Sequence, residues 1–455
     1  MRNCSCWHAV WKFVAIVLIL LFLSVMVAQQ MRHRTGGKDR PYDVVIIGAG
    51  LSGLSAANVL KGRSVLVLEK DNKTGGRVLT RYKDGIAYEL GATCRYAGPE
   101  VSGSHGFEAK FFVETGKIAV AHQGTVYYCD QVSGCIDQLG LPLNELAKIS
   151  RFSDGKCRDG LLDASGFSKD SLKVLNSFFR LIHPGEMSDY TCARQKDLFE
   201  PWPIEYYFQG NRWVVDTLSR ALSSRIELKA EVVSVEDSGK DVMILYRQGD
   251  ILRKVFSRTA IVAVPAPVAK KILSRISPRS SSFLDSVKYG KFTVVVMALK
   301  GADFGNFRYL FTTDALSSAI FAMHRKDKDT TVLYMYYGDK ESRQLSGATD
   351  AEVIDMSIDA LRQLNIRPFT RDDILFTDIK RWESGGTIIS DALLRNHRVE
   401  GSFQPSERVF LAGDYVYSGD AFPYGMAPAV LAGEETAARV VEYLRKEHKG
   451  GPERN

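Results

Sequence analysis

Residues 42–57 read YDVVIIGAGLSGLSAA: an apolar run passes directly into three closely spaced glycines and then into small residues. This order predicts a buried strand, a tight turn and a helix, which together open a dinucleotide-binding unit. The turn needs a glycine at 48, a pyrophosphate needs one at 50 to approach the backbone, and close packing of helix on strand needs one at 53. We expect the free N–H groups at the start of the helix to bind phosphate. The predicted phosphate-binding residues are Gly48, Ala49, Gly50, Leu51, Ser52 and Gly53.

A second predicted strand, SVLVL at 64–68, ends in an acidic residue. This residue, Glu69, lies 16 positions beyond Gly53, where a carboxylate can accept hydrogen bonds from the adenosine ribose. An acid at this point favours a ribose with a free 2′-hydroxyl. Either FAD or NAD satisfies this part of the pattern, and the residues that follow distinguish them.

The continuation EKDNKTGGR at 69–77 predicts a second loop that closes over the diphosphate. Gly75 and Gly76 give that loop the backbone flexibility that it needs, and Arg77 supplies positive charge. With the later pair Gly91-Ala92 inside YELGAT, 88–93, this stretch resembles the flavin-containing amine oxidase superfamily. That superfamily includes monoamine and polyamine oxidases, protoporphyrinogen oxidase and carotenoid desaturases. The resemblance assigns FAD binding here to Lys70, Gly75, Gly76, Arg77, Gly91 and Ala92.

The C-terminal part of the chain resembles the same family. RVFLAGDY at 408–415 is similar to its closing strand and turn, which implies that Gly413 and Asp414 lie near the ribityl chain or the pyrophosphate. PYGMAPAVLAGEETAA at 423–438 is similar to its final helix. The resemblance implies that the amides of Met426 and Ala427 point at the pyrimidine edge of the flavin, where a helix N-terminus favours negative charge.

Three middle stretches extend the resemblance over about residues 41–445. GNRWVVDTL at 210–218 and IELKAEVVSV at 226–235 are similar to the middle FAD segment, in which Val232 would contact the adenine through its backbone. AIVAVPAP at 260–267 is similar to the strand that returns to the nucleotide-binding sheet.

These landmarks predict an α/β fold with a Rossmann-type FAD-binding domain built from three segments and an inserted substrate domain of mixed sheet and helices. Residues 1–40 form an N-terminal signal or anchor and a linker. The FAD-binding segments are 41–94, 201–285 and 391–455, the last with the C-terminal helix. The substrate or cap segments are 95–200 and 286–390.

Periodicity within the substrate segments predicts particular elements. An amphipathic helix at 168–182, stopped by Pro184-Gly185, is expected to cap the substrate cavity. The runs at 292–299 and 331–337 predict strands, and a helix is expected at 351–364. In the second strand Tyr334 and Tyr336 alternate, a pattern that suits sheet packing better than the lining of a cavity.

Length and composition fit this organisation. The chain has 455 residues, enough for two domains after the N-terminal segment, and 45% of them are apolar. Sixty basic and 53 acidic residues give a net charge of +7, a mild excess that indicates a solvated basic surface. Basic and aromatic residues do not interleave in a patch of convincing length, so we predict no nucleic-acid partner.

Residues 13–28 form an apolar run without charge, preceded by Arg2 and Lys12. This pattern predicts a short membrane anchor or a signal peptide, and the weak cleavage site Met26-Val-Ala28 favours the uncleaved anchor. We therefore expect the protein to be membrane-anchored or exported. Basic residues flank both ends of the run, which leaves the side of the membrane open.

The seven cysteines show neither metal-binding spacing nor a dense disulfide pattern, so no metal site is predicted. Cys129 and Cys135 flank a short turn-like stretch, where two free thiols are the favoured interpretation and a disulfide the alternative. No cysteine follows Cys192. Since family members with a flavin thioether use a C-terminal cysteine, the resemblance implies non-covalent FAD.

The resemblance implies an enzyme that moves a hydride from a small substrate, an amine or an apolar C–H donor, to flavin N5, with reoxidation by oxygen or a quinone. Tyr424 is the candidate aromatic wall of the flavin and Trp382 a second candidate. Many amine oxidases carry a lysine where this chain has Val294, with Lys288 and Lys291 nearby. That departure puts amine oxidation in doubt.

Several alternatives therefore stay open. A desaturase, a porphyrinogen-type oxidase or a renalase-like dihydronicotinamide oxidase would keep the FAD motifs without the lysine. A non-catalytic flavin-binding protein and an NAD-dependent dehydrogenase are the alternatives outside this class. The substrate, the electron acceptor and the oligomeric state have no decisive motif.

Overall fold

The computed structural model describes residues 42–93, 111–113, 116–140, 168–180, 183–186, 189, 205–222, 225–317, 319–416 and 425–449. The strands are β1 Tyr42–Ile47, β2 Val65–Leu68, β3 Thr80–Lys83, β4 Ile86–Glu89, β5 Phe111–Val113, β6 Lys117–His122, β7 Thr125–Cys129, β8 Glu205–Tyr207, β9 Ile226–Glu227, β10 Ala230–Asp237, β11 Val242–Gln248, β12 Ile251–Val262, β13 Lys288–Lys300, β14 Phe307–Thr312, β15 Ala319–Arg325, β16 Thr330–Tyr337, β17 Ile374–Ile388 and β18 Val409–Leu411. The α-helices are α1 Leu51–Val59, α2 Val132–Gln138, α3 Lys169–Phe179, α4 Arg212–Arg220, α5 Ala266–Ile272, α6 Pro278–Ser286, α7 Asp339–Gln344, α8 Asp350–Gln363, α9 Asp391–His397 and α10 Met426–Lys449.

The first sheet combines strands from the three predicted FAD-binding segments. Its order is β10-β11-β12-β1-β2-β9, and β18 also pairs with β12. The pairs of β1 with β2, β1 with β12 and β12 with β18 are parallel, whereas β10, β11 and the first half of β12 form an antiparallel meander. The buried runs of β1 and β2 explain the parallel core, because such strands are covered on both faces. The domain boundaries themselves stay a prediction.

Helices α1 and α10 pack together beside this sheet, although their sequences are far apart. A Cβ atom on Gly433 would lie 2.2 Å from the carbonyl oxygen of Ser52, so only glycine allows this close approach. The Ser52 hydroxyl donates to the carbonyl oxygen of Ala429 at 2.6 Å. These contacts hold α10 against α1.

The second sheet has the order β17-β13-β16-β15-β14-β6-β7, which joins strands from both predicted substrate segments. Successive residues of β13 point to opposite faces of this sheet. Val294 and Val296 share a buried cluster with Tyr334 and Tyr336 of β16. The intervening residues of β13 belong to a different cluster, with Val353, Ile358 and Leu361 of α8. The two tyrosines are buried within the sheet packing, as their alternation predicts.

The predicted elements of the substrate segments are present, with different ends. Helix α3 begins after Ser168, whose hydroxyl accepts a hydrogen bond from the Ser171 amide, and ends at Phe179. Helix α8 and strands β13 and β16 match the predicted helix and strands. The prediction of one strand over 260–267 was wrong: β12 ends at Val262, and Pro265 caps α5. Proline cannot donate to a sheet but fits the start of a helix.

Cys129 and Cys135 form a disulfide, so the prediction of two free thiols was wrong. Their Cα atoms are 5.5 Å apart, which lies in the range that a disulfide requires. The bond joins the end of β7 to α2. The sequence spacing allowed this pairing but did not require it.

Within the part of the chain that the structure describes, no helix is long and apolar enough to cross a membrane. The apolar run at 13–28 lies outside the described residues. The same part of the chain contains no cluster of three or more histidine, cysteine or acidic side chains that could hold a metal ion.

Candidate functional site

The glycine-rich turn after β1 leaves one side open. Gly48 has φ +100°, and a Cβ there would lie 2.6 Å from the carbonyl oxygen of Ala263. A Cβ on Gly53 would lie 2.0 Å from the carbonyl oxygen of Gly48, so packing excludes a side chain at both positions. A Cβ on Gly50, in contrast, would meet no atom within 4 Å. The turn is therefore closed towards the protein and open at Gly50, at the start of α1.

A second glycine loop lies against this opening. The amide of Gly75 donates to the carbonyl oxygen of Ala49 at 2.9 Å, and a Cβ on Gly76 would lie 3.4 Å from the Cα of Gly50. Both glycines have positive φ, +122° and +57°. The two loops therefore lie on either side of a space that is lined by backbone atoms. Such a space suits a diphosphate.

Glu69 is 6% exposed and lies at the end of β2. Its carboxylate accepts hydrogen bonds from the Ala49 amide at 2.7 Å and from the Asp71 amide at 2.9 Å. These bonds fix the carboxylate beside the first turn, where a ribose would lie next to the diphosphate. The neighbouring Lys70 is exposed and ion-paired with Asp71 at 3.6 Å.

Arg77 and Asp414 form an ion pair although 337 positions separate them. The Arg77 guanidinium donates to Asp414 at 2.7 Å and to the carbonyl oxygen of Gly385 at 3.3 Å. Asp414 is buried and also accepts from the Tyr415 amide at 3.1 Å. Although burial opposes charge, the Asp414 carboxylate holds the pKa of Arg77 above its ordinary value. A permanent cation therefore lies between the second glycine loop and the C-terminal turn.

The turn at Gly91-Ala92 packs directly on this arginine. A Cβ on Gly91 would lie 2.0 Å from the carbonyl oxygen of Arg77, and the Ala92 amide donates to the same oxygen at 3.1 Å. The Asn211 side chain donates to the carbonyl oxygens of Ala92, at 2.6 Å, and Thr93, at 3.1 Å. Sequence reasoning missed Asn211, since its contacts lie 118 and 119 positions away.

The remaining predicted cofactor residues lie in the first sheet, in the turn after β18 and in α10. Val232 pairs with Tyr246 between β10 and β11. Gly413 has φ +151° and follows β18, Met426 is the first residue of α10, and Ala427 is buried. No described contact joins these four residues to Gly50 or Glu69, so their roles in binding stay predictions.

The residues around the first turn fit a flavin dinucleotide. Gly50 is open where a side chain would fill the space, Glu69 presents a buried carboxylate, and Arg77 supplies a cation. A Cβ on Gly425, the residue before α10, would also meet no atom within 4 Å, which leaves the start of that helix accessible within the described residues. These groups could hold the ribose, the diphosphate and an electron-rich ring edge.

Of the two candidate aromatic residues, Tyr424 lies outside the described residues. Trp382 lies in β17 and donates through Nε1 to the carbonyl oxygen of Leu90 at 2.6 Å. The Lys380 ammonium lies 5.0 Å from the centroid of its ring. Trp382 thus ties the second sheet to the Gly91-Ala92 turn, and its contact with a flavin stays a prediction.

We expect Trp382→Phe to raise the dissociation constant of the flavin roughly threefold to tenfold, because the Leu90 carbonyl loses its hydrogen bond and the adjacent turn loosens. Fluorescence titration of the flavin-free protein measures this change. Tyr128→Phe, at an exposed tyrosine of β7 outside the predicted FAD-binding segments, is the control. Equal affinities for the two variants would contradict the positioning role of Trp382.

Val294, the residue that the family resemblance aligns with a lysine, lies directly opposite Lys380 of β17 and Tyr336 of β16. Residues directly opposite in antiparallel strands share one face of a sheet. Lys291 is ion-paired with Glu383 at 2.7 Å, and Lys288 is exposed. Sequence reasoning placed the nearest lysines on the strand of Val294 and missed Lys380, because the register between β13 and β17 is not visible in the sequence.

Glu89 is a buried acid at the end of β4, 3% exposed. It accepts hydrogen bonds from the Thr80 hydroxyl at 2.9 Å and from the Asn211 amide at 2.6 Å. Burial raises the pKa of Glu89 to about 8, although both hydrogen bonds oppose the shift. The folded protein therefore binds this proton more tightly than the unfolded chain, whose glutamate pKa is 4.5.

We expect stability to fall as the pH rises from about 4.5 to 8, by up to about 4 kcal/mol from this group, because the unfolded chain releases this proton over that range while the folded protein still holds it. Glu89→Gln keeps a neutral side chain and should remove this part of the slope. Urea midpoints at pH values below and above this range measure the difference. Glu231→Gln, at an exposed glutamate of β10, is the control. An unchanged slope in Glu89→Gln would contradict the account.

The parallel pairs around β1, the two glycine loops and the buried acid after β2 define a dinucleotide-binding domain. Residues 151–441 match the family model described as flavin containing amine oxidoreductase, and residues 46–102 match the NAD(P)-binding Rossmann-like domain. The chain belongs to the flavin containing amine oxidoreductase family. The predicted family, the α/β Rossmann-type fold and the identification as an oxidoreductase are thereby confirmed.

Known proteins across this family resemble the chain over most of its length. L-amino acid oxidase Bs29 of Bothriechis schlegelii is 22% identical over 474 residues, covering 92% of this chain and 94% of the relative. The chloroplastic protoporphyrinogen oxidase of Nicotiana tabacum is 21% identical, covering 90% and 87%. The solved structure of cyclohexylamine oxidase from Brevibacterium oxydans IH-35A has a TM-score of 0.72 at 18% identity, covering 89% of this chain and all of that one. The structural similarity shows the fold, and the range of relatives leaves the reaction open.

Proposed function

We propose that the chain binds FAD non-covalently and oxidises a small amine or an apolar C–H donor, with oxygen or a quinone as the final acceptor. The observation that carries the proposal is the space bounded by Gly50, Gly76 and Glu69, completed by the Arg77–Asp414 ion pair. Non-covalent binding is inferred from the absence of cysteine after Cys192. A bound flavin supplies a two-electron acceptor for a hydride from the substrate.

The protein groups position the cofactor and shield the reaction. Glu69 accepts hydrogen bonds from the ribose, and the start of α1 donates amides to the diphosphate. Arg77 neutralises phosphate charge, while Asp414 fixes the guanidinium. The start of α10, at Met426, favours negative charge at the edge of the ring. Alignment and exclusion of water are then the main contributions of the protein.

The substrate side is formed by the face of the second sheet that carries Val294. This face holds Phe321, Tyr336 and the partly buried Phe292, in a buried aromatic cluster. These side chains are packed in the core, so a donor bound next to them would meet an apolar wall, which suits an apolar donor. The cation of Lys380 on the same face disfavours an ammonium and suits a neutral amine or a donor that carries a carboxylate.

A porphyrinogen-type oxidase is the second candidate, and Val294 is the observation that favours it. An aliphatic residue stands where many amine oxidases carry a lysine. The face of the second sheet that carries Val294 is mainly apolar and aromatic. Desaturase and renalase-like reactions also fit an FAD site without this lysine. The donor screen described below tests them together with the porphyrinogen-type reaction. A flavin-binding protein without activity is the outcome in which no donor works.

We also propose that residues 13–28 anchor the protein in a membrane or direct its export, and that the two sheets belong to the FAD-binding and substrate domains with the boundaries predicted from the sequence. The apolar run and its flanking charges support the anchor. Carbonate extraction of membranes from expressing cells separates an anchored chain from an exported one.

The reaction is tested by mixing the flavin-loaded protein anaerobically with candidate donors and following the flavin absorbance. The donors are neutral amines, L-amino acids, porphyrinogens, polyenes and dihydronicotinamides. We expect one class to bleach the flavin far faster than buffer alone. Lys380→Met, which keeps most of the length of the side chain without the charge, should change the preference between charged and uncharged donors. Failure of all classes would contradict the proposed function.

A further inference from the structure

The hairpin of β11 and β12 presents apolar side chains to solvent. Ile251 is 47% exposed, Leu252 57% and Phe256 42%. These three are among the twelve exposed large apolar side chains of the described residues, and they lie within six positions of one strand. Leu252 and Phe256 share a face because alternate residues of a strand point the same way. Met243 of β11 lies opposite Phe256 and widens the apolar surface.

Basic side chains stand within this surface. Lys254 lies between Leu252 and Phe256 on the same face, is exposed, and places its ammonium 5.2 Å from the centroid of the Phe256 ring. Arg247 is exposed directly opposite Leu252. Long basic side chains lay their apolar stems along such a surface and keep their charges at its rim. On β10 the same face carries two acids, Glu231 opposite Arg247 and Glu236 opposite Met243, which border the apolar surface.

The hairpin lies at the end of the first sheet where the N-terminal segment joins β1. Strand β1 begins at Tyr42, opposite Ser257, so residues 251–256 extend past the start of β1. This extension is about 20 Å long. Residues 29–41 reach at most about 45 Å between the apolar run and Tyr42. A bilayer that holds residues 13–28 is therefore within reach of the hairpin.

We propose that the face of Leu252, Lys254 and Phe256 inserts into the interface of the phospholipid bilayer that holds the N-terminal segment. The inference rests on the proposed anchor and adds a second contact, which would set the orientation of the enzyme on the membrane. Apolar side chains enter the acyl boundary while lysine and arginine reach lipid phosphates. A protein partner fits less well, because lysine is depleted at the centre of protein interfaces.

The test uses the full flavin-loaded chain in phosphatidylcholine vesicles, with the photo-crosslinker p-benzoylphenylalanine at position 256. The matched control carries it at Met356 of α8, which is 46% exposed. We expect roughly tenfold more lipid adduct at 256 than at 356, the factor expected from burying one large apolar side chain. In the 256-labelled chain, Leu252→Ser should lower the adduct by a similar factor, whereas Leu375→Ser, at an exposed leucine of β17, should leave it unchanged.

Adduct formation and carbonate extraction together distinguish a failure of the docked face from a failure of the proposed anchor. Adducts with lipid at 256 but not at 356 support the docked face. Adducts with residues 1–41 or with a second copy of the chain, or no adduct above the control, overturn it, even when carbonate fails to extract the protein. A chain that carbonate releases from the vesicles overturns the proposed anchor and, with it, the docking.

Discussion

Gly50→Ala is expected to weaken flavin binding strongly while the protein stays folded. A Cβ at this position meets no atom of the protein within 4 Å, so the fold has room for the methyl group. Replacing glycine by alanine at a helix N-cap costs at most about 1 kcal/mol. The same methyl group would occupy the space that a diphosphate needs, and loss of charged hydrogen bonds should weaken binding roughly tenfold to a hundredfold.

Two further glycines provide controls for this variant. Gly62→Ala, in an exposed turn where a Cβ also meets no atom within 4 Å, should leave flavin affinity and stability unchanged. Gly53→Ala should damage both, because its Cβ would lie 2.0 Å from a backbone oxygen. Flavin titration and urea unfolding of the three variants measure these effects. Wild-type affinity in Gly50→Ala would show that the diphosphate does not lie at this turn.

Asp414→Ala is expected to release the flavin and to lower the stability of the fold by roughly 3 kcal/mol. Its carboxylate is buried and accepts from Arg77 and from the Tyr415 amide, so its removal leaves the guanidinium without its partner. Flavin content after gel filtration and the urea midpoint measure the two effects. Asp216→Ala is the control: it breaks the more exposed Arg212–Asp216 pair, for which about 0.5 kcal/mol is expected.

A double variant separates binding from stability at this pair. Arg77→Met with Asp414→Leu removes both charges and keeps apolar volume, which can restore stability when a buried ion pair is replaced. We expect stability to recover and flavin binding to stay lost, because no cation remains for the diphosphate. Recovery of flavin binding in the double variant would contradict the role of Arg77.

Local patterns made the first part of the site predictable. The turn at Gly48–Gly53 and the acid at Glu69 depend on residues close in sequence, and the structure places them side by side. The second glycine loop is likewise a short-range feature. The ion pair of Arg77 with Asp414 was predicted only as two separate contacts with the cofactor, since nothing in either stretch shows that the two side chains meet.

Other features depend on long-range register and could not be predicted. Lys380 faces Val294 only because β13 and β17 pair in a particular register. Asn211 and Glu89 meet because the start of α4 lies against β4. The sequence did not show that β12 ends at Val262, because the apolar run at 260–267 continues without a break into the start of α5, which Pro265 caps. In each case tertiary packing decided what the local pattern left open.

The visible spectrum of the purified chain shows whether the fold holds a non-covalent FAD. We predict flavin absorption bands in the folded protein, complete transfer of the chromophore to the supernatant after acid precipitation, and its identification as FAD by chromatography. A folded protein that is colourless and does not take up added FAD would contradict the account.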